Sequence, residues 1–214
     1  ETMAKNLQPI PGKPGHFVDG TGEVIILTEA READRYDSEN LATGAITAGA
    51  SLSFYATLVD KNELDANFPE AGKLVTGAER MVMEWFGYSV QPAGGTNICT
   101  GNDVKRHIAH GWLEFRLNKL VVEDGPLERF PPGYGLSGST SQNNSAVLNN
   151  GVPATASVRG LKELQMITDE HTVKCKVTFQ SRAWLTTSTL PTMDAETIGR
   201  TYVHGILESA ATNN

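Results

Sequence analysis

The sequence predicts an all-β protein, an antiparallel sandwich or barrel. Three observations predict it. Apolar and polar residues alternate with period two in several separate segments. No convincing amphipathic helix interrupts them. The 21 glycines gather with Ser, Thr and Asn between the segments, where turns belong. A chain of 214 residues can bury a large core without covalent staples. It shows no internal repeat of fixed period and no domain boundary.

Each element follows from its residues. Residues 1–22 hold three prolines and four glycines, and predict an extended N-terminal arm outside the core. The remainder, 23–214, reads as one domain. "EVIILT" gives its first strand. "TEAREADRYDSEN" (28–40) is polar on every face and reads as a loop or a short helical turn capped by Thr28. In "AITAGASLSFYATLVD" (45–60), Leu52, Phe54, Ala56 and Leu58 share one face and Ser53, Tyr55, Thr57 and Val59 the other, which is a strand. "ERMVMEWFGYSVQ" (79–91) is a strand apolar on both faces, implying burial between two layers or beside a neighbouring subunit. "PAGGTNICTGND" is a turn-rich loop.

"HGWLEFRLNKLVVEDG" (110–125) places Leu113, Phe115, Leu117 and Val121 on one side and Glu114, Arg116 and Asn118 on the other. A tight hairpin fits at Asn118, which tolerates positive φ. Residues 126–160 form one long Gly/Ser/Asn-rich connection, a length that marks function or ordering by a partner. "LKELQMIT", "HTVKCKVTFQ" and "RTYVHGILES" supply three late strands, and "AATNN" a frayed tail.

The composition excludes several classes. A net charge of −7, without a Lys/Arg cluster, argues against direct sequence-specific nucleic-acid binding. The longest apolar run, "VIIL", is strand-sized, far short of a membrane span. The opening residues resemble neither a signal nor a transit peptide. Of the two cysteines, Cys175 alternates with Val173, Val177 and Phe179 as a small apolar core residue; whether it pairs with Cys99 stays open.

Motifs for chemistry fall short. His107 and His110 are a bare pair, and a metal wants three or four converging ligands, so no metal or other cofactor is expected. Gly135, Ser137 and Gly138 have the wrong spacing for a nucleophile elbow. Gly133, Gly135 and Gly138 fit G-x-G-x-x-G, but coil follows where a phosphate-binding helix should begin. Glu123 and Asp124 share one turn, whereas a glycosidase needs carboxylates across a cleft. Trp85, Trp112 and Trp184 sit in or beside apolar runs, which favours burial in the core or at an interface over sugar stacking. "NNS" (143–145) fits a glycosylation sequon without a secretory context. The expectation is a protein that is not an enzyme.

The order "SLSFYATLVD", "RMVMEWFGYSV", "GWLEFRLNKLVVEDGPLERFPPGYGLSG", "VKCKVTFQ" and "GRTYVHGILE", across residues 45–208, resembles the jelly-roll major capsid proteins of tailless icosahedral bacteriophages. The resemblance implies a single jelly roll with long loops and an N-terminal arm. It implies a structural subunit of a virion, assembled in the host cytoplasm. The implied partners are copies of itself in capsomers and a shell, minor capsid proteins, and a membrane beneath the shell. Contact residues would then come from the arm and the Pro/Gly-rich loop: Pro9, Pro11, Phe17, Phe130, Pro131, Pro132, Tyr134 and Leu136. Two other readings stand beside it: a carbohydrate-binding or glycan-cleaving β-sandwich, and a non-viral filament or spike subunit.

Overall fold

Side chains of a strand alternate between faces, so a strand with one buried face shows burial with period two. Val173, Cys175, Val177 and Phe179 are buried, while Lys174 and Lys176 between them are exposed. Gly111, Leu113, Phe115 and Leu117 repeat the pattern on the neighbouring strand. These inward faces are one wall of the core.

The computed structural model describes residues 6–27, 30–93, 101–131, 136–140, 146–150, 159–181 and 190–208. In chain order they form β1 (Asn6–Pro9), β2 (His16–Asp19), β3 (Val24–Ile26), β4 (Ala30–Leu41), β5 (Gly44–Ala45), β6 (Ser51–Phe54), β7 (Arg80–Pro92) and α1 (Gly101–His110). There follow β8 (Gly111–Leu117), β9 (Leu120–Pro126), a 3-10 turn (Leu127–Arg129), β10 (Leu136–Thr140), β11 (Ala146–Asn150), β12 (Arg159–Ile167), β13 (Val173–Phe179), β14 (Thr192–Met193) and β15 (Thr197–Glu208).

Two antiparallel sheets face each other. The larger has the order β3-β2-β1-β12-β7-β15-β4, the smaller β6-β13-β8-β9. Eight of these strands pair from the outside of the chain inwards: β4 with β15, β6 with β13, β7 with β12, and β8 with β9. This is one long hairpin rolled up so that its strands fall alternately on two sheets, the jelly roll. Two short pairs, β5–β14 and β10–β11, lie outside it.

The first residues extend the larger sheet. β1 pairs with β12, β2 with β1, and β3 with β2. The segment is extended, as anticipated, but it does not stand outside the core. Leu7 and Phe17 are buried with Ile25, Leu27 and Val82 in a second apolar cluster. Period two in short pieces between prolines was too brief a signal to separate docked strands from a loose arm.

The link from β3 to β4 shows how this sheet curves. Those strands are its opposite edges, yet only residues 27–29 separate them in sequence. Six inter-strand steps of ~4.8 Å would part the edges of a flat sheet by about 29 Å. The four peptide units from Ile26 to Ala30 reach at most ~15 Å. The sheet therefore curls towards its outer face, and the second cluster fills the hollow. This also explains β7. Met81 and Met83 enter the main core while Val82, equally buried, enters the second cluster, so the chain itself covers both apolar faces.

Three other expectations change. Of the segment 28–40, the described residues from Ala30 onwards lie in β4, not in a loop or helical turn. β4 is an edge strand whose backbone and polar side chains bond to the 55–79 loop: the backbone N–H of Tyr36 donates to Asn67 Oδ1 at 2.6 Å and Arg35 Nε to Leu74 O at 2.9 Å. The strand expected through residue 60 ends at Phe54, because Tyr55 has φ 60 and leaves the sheet. Val121 is exposed, because the β8–β9 register shifts between Phe115 and Arg116 and takes it off the inward row. The hairpin at Asn118 forms as expected, with φ 54, and Asn118 Oδ1 accepts Thr172 N–H at 2.8 Å.

The β7–β15 ladder also shifts between His204 and Gly205. A Cβ at Gly205 would stand 2.0 Å from Val82 O, backbone that cannot swing aside. Gly205→Ala is expected to cost about 3 kcal/mol, at the upper end of overpacking penalties, measured by chemical denaturation.

Candidate functional site

The two histidines weighed as metal ligands are carried by α1, a helix absent from the sequence reading. They do not converge. His107 is buried, with Tyr88 Oη 2.7 Å from Nε2 and Thr197 Oγ1 2.8 Å from Nδ1. Burial lowers its pKa to about 3, so the ring is neutral. A neutral imidazole donates from one nitrogen and accepts at the other, which suits two hydroxyl partners. His110 points elsewhere, its Nδ1–H donating to Gln180 O at 3.2 Å. Among the described residues no group of three or more His, Cys, Asp or Glu could hold a metal ion.

His107 instead joins α1 to the sheets. Its ring packs edge-on against Phe179 at 5.2 Å. Asp103, one turn earlier and buried, accepts Asp194 N–H at 2.9 Å, and Arg106 donates to Thr192 O and to Asp194. Gly199 leaves room for this joint, since a Cβ there would lie 2.0 Å from Tyr88 Oη.

The residues expected at subunit contacts divide. Pro9, Pro11 and Pro131 are exposed. Phe17 and Phe130 are not available to a partner: Phe17 belongs to the second cluster, and Phe130 packs edge-on against Phe86 at 5.9 Å while its carbonyl accepts Tyr88 N–H at 2.8 Å. Beside a Pro-Pro pair, Phe130 read as a loop anchor. In fact it plugs the main core just beyond the 3-10 turn. Pro132 and Tyr134 lie outside the described residues, and Leu136 opens β10 with its side chain undescribed.

Cys175 is a free, buried thiol, while Cys99 lies outside the described residues. Trp184 and the 143–145 sequon also lie outside them. Trp112 is 42% exposed in the single chain and so is not a core residue. Glu123 and Asp124 are successive residues of β9, opposite Phe115 and Glu114 of β8.

One polar constellation escaped the sequence because it spans three strands. His204 of β15 donates from Nδ1 to Asp34 Oδ1 of β4 at 2.7 Å, and its Nε2 lies 3.9 Å from Glu84 Oε2 of β7. The indole of Trp85 stacks on the imidazole at 4.9 Å between centroids, 18° from parallel. The cluster shares its face of the curled sheet with Ile206, two residues along β15. Asp34 raises the His204 pKa by hydrogen bonding; burial opposes this, and Glu84 and Glu32 add to the rise. Burial raises the Glu84 carboxyl, an effect that His204 counters.

Both sheets end in apolar edges. Val24 and Ile26 of β3 are exposed at one border of the larger sheet, and Leu120 and Val121 of β9 at one border of the smaller. Val59 and Leu64, on the loop that covers β4, are the most exposed large apolar residues among those described, at 72% and 77%. No helix among the described residues is long and apolar enough to cross a membrane. No family model, curated protein or solved structure matches the chain.

Two outcomes follow. Phe130→Ala is expected to destabilise the isolated subunit by about 3–5 kcal/mol in chemical denaturation, the cost of truncating a core aromatic. A pure contact residue would leave the subunit's stability unchanged. The raised His204 pKa makes its ion pair stabilising below the ordinary imidazole value of 6.5, and that stability is lost as pH rises through the folded value. Wild-type stability should therefore fall relative to His204→Gln as pH climbs past 6.5, with Trp85 emission reporting the same titration.

Proposed function

We propose that the chain is a structural subunit of an icosahedral virus shell of the tailless-phage kind, assembling with copies of itself. The observation that carries this reading is the complete eight-strand nesting, whose core closes within one copy while both sheets keep exposed apolar borders. Such an architecture is shared by viral shells, lectins and cupins, so the fold narrows the function without fixing it. The borders favour the shell. An exposed apolar edge strand is a hazard for a solitary protein and useful for one whose edges are covered by neighbours. A rigid sandwich sets the angle between neighbours, and repeated heterologous contacts build a closed surface from one kind of chain. Minor capsid proteins and an underlying membrane are further partners of this reading.

One observation favours a second reading, a glycan-binding sandwich. Trp112 stands exposed on the outer face of the smaller sheet, with Glu114 and Asp124 on the next row. An exposed indole beside carboxylates suits the apolar face and hydroxyls of a sugar.

Light scattering and electron microscopy of the purified protein, under conditions that preserve particles, separate these readings. A shell subunit gives closed particles of uniform size. A monodisperse monomer that binds glycans and loses that binding on Trp112→Ala supports the second reading and removes the first.

A further inference from the structure

Asp37 is the most deeply placed carboxylate on β4, with an exposure of 0%. A carboxylate there needs partners, and it has three. Lys61 Nζ lies 2.6 Å from Oδ1, Ser38 N–H donates to Oδ1 at 2.9 Å, and Tyr55 N–H donates to Oδ2 at 2.5 Å. Lys61, itself 11% exposed at its side chain, is also 2.6 Å from Glu39 Oε1. One amine thus touches two carboxyl groups: Asp37 is sealed in, and Glu39 stands on the outer side.

We propose that Lys61 and Asp37 condense into an intramolecular amide, with Glu39 as the group that moves the proton. The geometry supplies each requirement. Cγ is one bond from Oδ1, so Nζ lies within roughly 4 Å of the carbon it attacks, near the ~3–3.5 Å of a near-attack arrangement. Tyr55 N–H points at Oδ2, where negative charge gathers when the carbon becomes tetrahedral. That N–H is aimed by the unusual φ of 60 at Tyr55, a conformation that a non-glycine residue adopts only when its surroundings hold it there. Glu39 is placed to accept a proton from the attacking nitrogen.

The step balances without an outside reagent. One ammonium proton passes from Lys61 to the Asp37 carboxylate, giving a neutral amine and a neutral acid. Burial, the largest influence on Asp37, pushes its carboxyl pKa up and favours that acid, against the hydrogen bonds from Lys61, Tyr55 and Ser38. Nζ then bonds to Cγ, Glu39 takes a second proton from nitrogen, and the same proton goes to the departing Oδ1. The C–O bond breaks, one water leaves, and Glu39 returns to its starting form. An interior ion pair becomes a neutral amide, which ends the desolvation cost of two charges.

The test is the intact mass of the purified, folded full chain under denaturing conditions, followed by fragment mapping. The expected wild-type mass is short by one water, with the peptide carrying Asp37 linked to the peptide carrying Lys61. Glu39→Gln and Lys61→Arg, checked for folding by circular dichroism, are expected at full mass and unlinked. A folded wild type that keeps its full mass after prolonged incubation overturns the proposal. So does a lost water that maps to the Asp37–Ser38 peptide alone, since ring closure on the backbone also releases one. Linkage that persists in Glu39→Gln overturns the role of Glu39.

Discussion

Strand β15 is the constraint on which the rest of the structure depends. It is 12 residues long and pairs along its whole length with β4 on one side and β7 on the other. Leu41 meets Thr197 and Ala30 meets Glu208, so a strand near the start of the chain and one near its end form a single ladder. Everything between must fit inside that closure. The nested pairs of the jelly roll are the consequence, each enclosed by the pair before it. Such non-local pairing is slow to form, because loop entropy is lost before the contacts reward it.

The same strand organises both faces of its sheet. Val203 and Leu207 enter the core between the sheets. On the other face His204 holds Asp34 and Trp85, and Ile206 joins the hollow filled by the first strands. At one end Thr197 reaches His107 and so fixes α1; at the other Glu208 pairs with Arg80, which also donates to Ile26 O. The curl of the sheet, the seat of the helix and the position of β3 are therefore set by one strand.

Where one face is buried and the other wet, the sequence was legible. β8 and β13 follow from alternation, the Asn118 hairpin from turn chemistry, and the inward Cys175 from its neighbours, while β7, covered on both faces, was legible as a strand apolar on both sides. β4 was not legible, since its polar residues read as loop until their partners are known: Arg35 needs Leu74 O, and the backbone N–H of Tyr36 needs Asn67 Oδ1. α1 was missed because only Val104 and Ile108 carry its apolar period, while Asp103, Arg106 and His107, which also seat it, are polar. Phe17 and Phe130 show the general limit. An aromatic beside prolines declares that something covers it, but not whether the cover is its own chain or another copy. The His204 cluster gave no signal at all, because its members come from three strands brought together only by register.

The edge strand β4 is where this design is most exposed to failure. It is held by β15 on one side, and its other side is covered by a loop rather than a strand. Ion pairs on a surface add little to such an edge, since solvent screens them and long side chains lose entropy. A bond of the Asp37–Lys61 type acts differently. It closes a span of 24 residues between positions that the folded chain holds together beside the Tyr55 N–H at the end of β6. Treated as a cross-link of that span, it removes denatured-state entropy equivalent to about 3.5 kcal/mol. It also forms only once folding has placed its groups, so it does not slow the search for the outer ladder. Afterwards it keeps the loop tied to the edge during transient opening, which is the event that limits the lifetime of a protein whose refolding is slow. On the shell reading proposed above, that persistence would matter more than equilibrium stability.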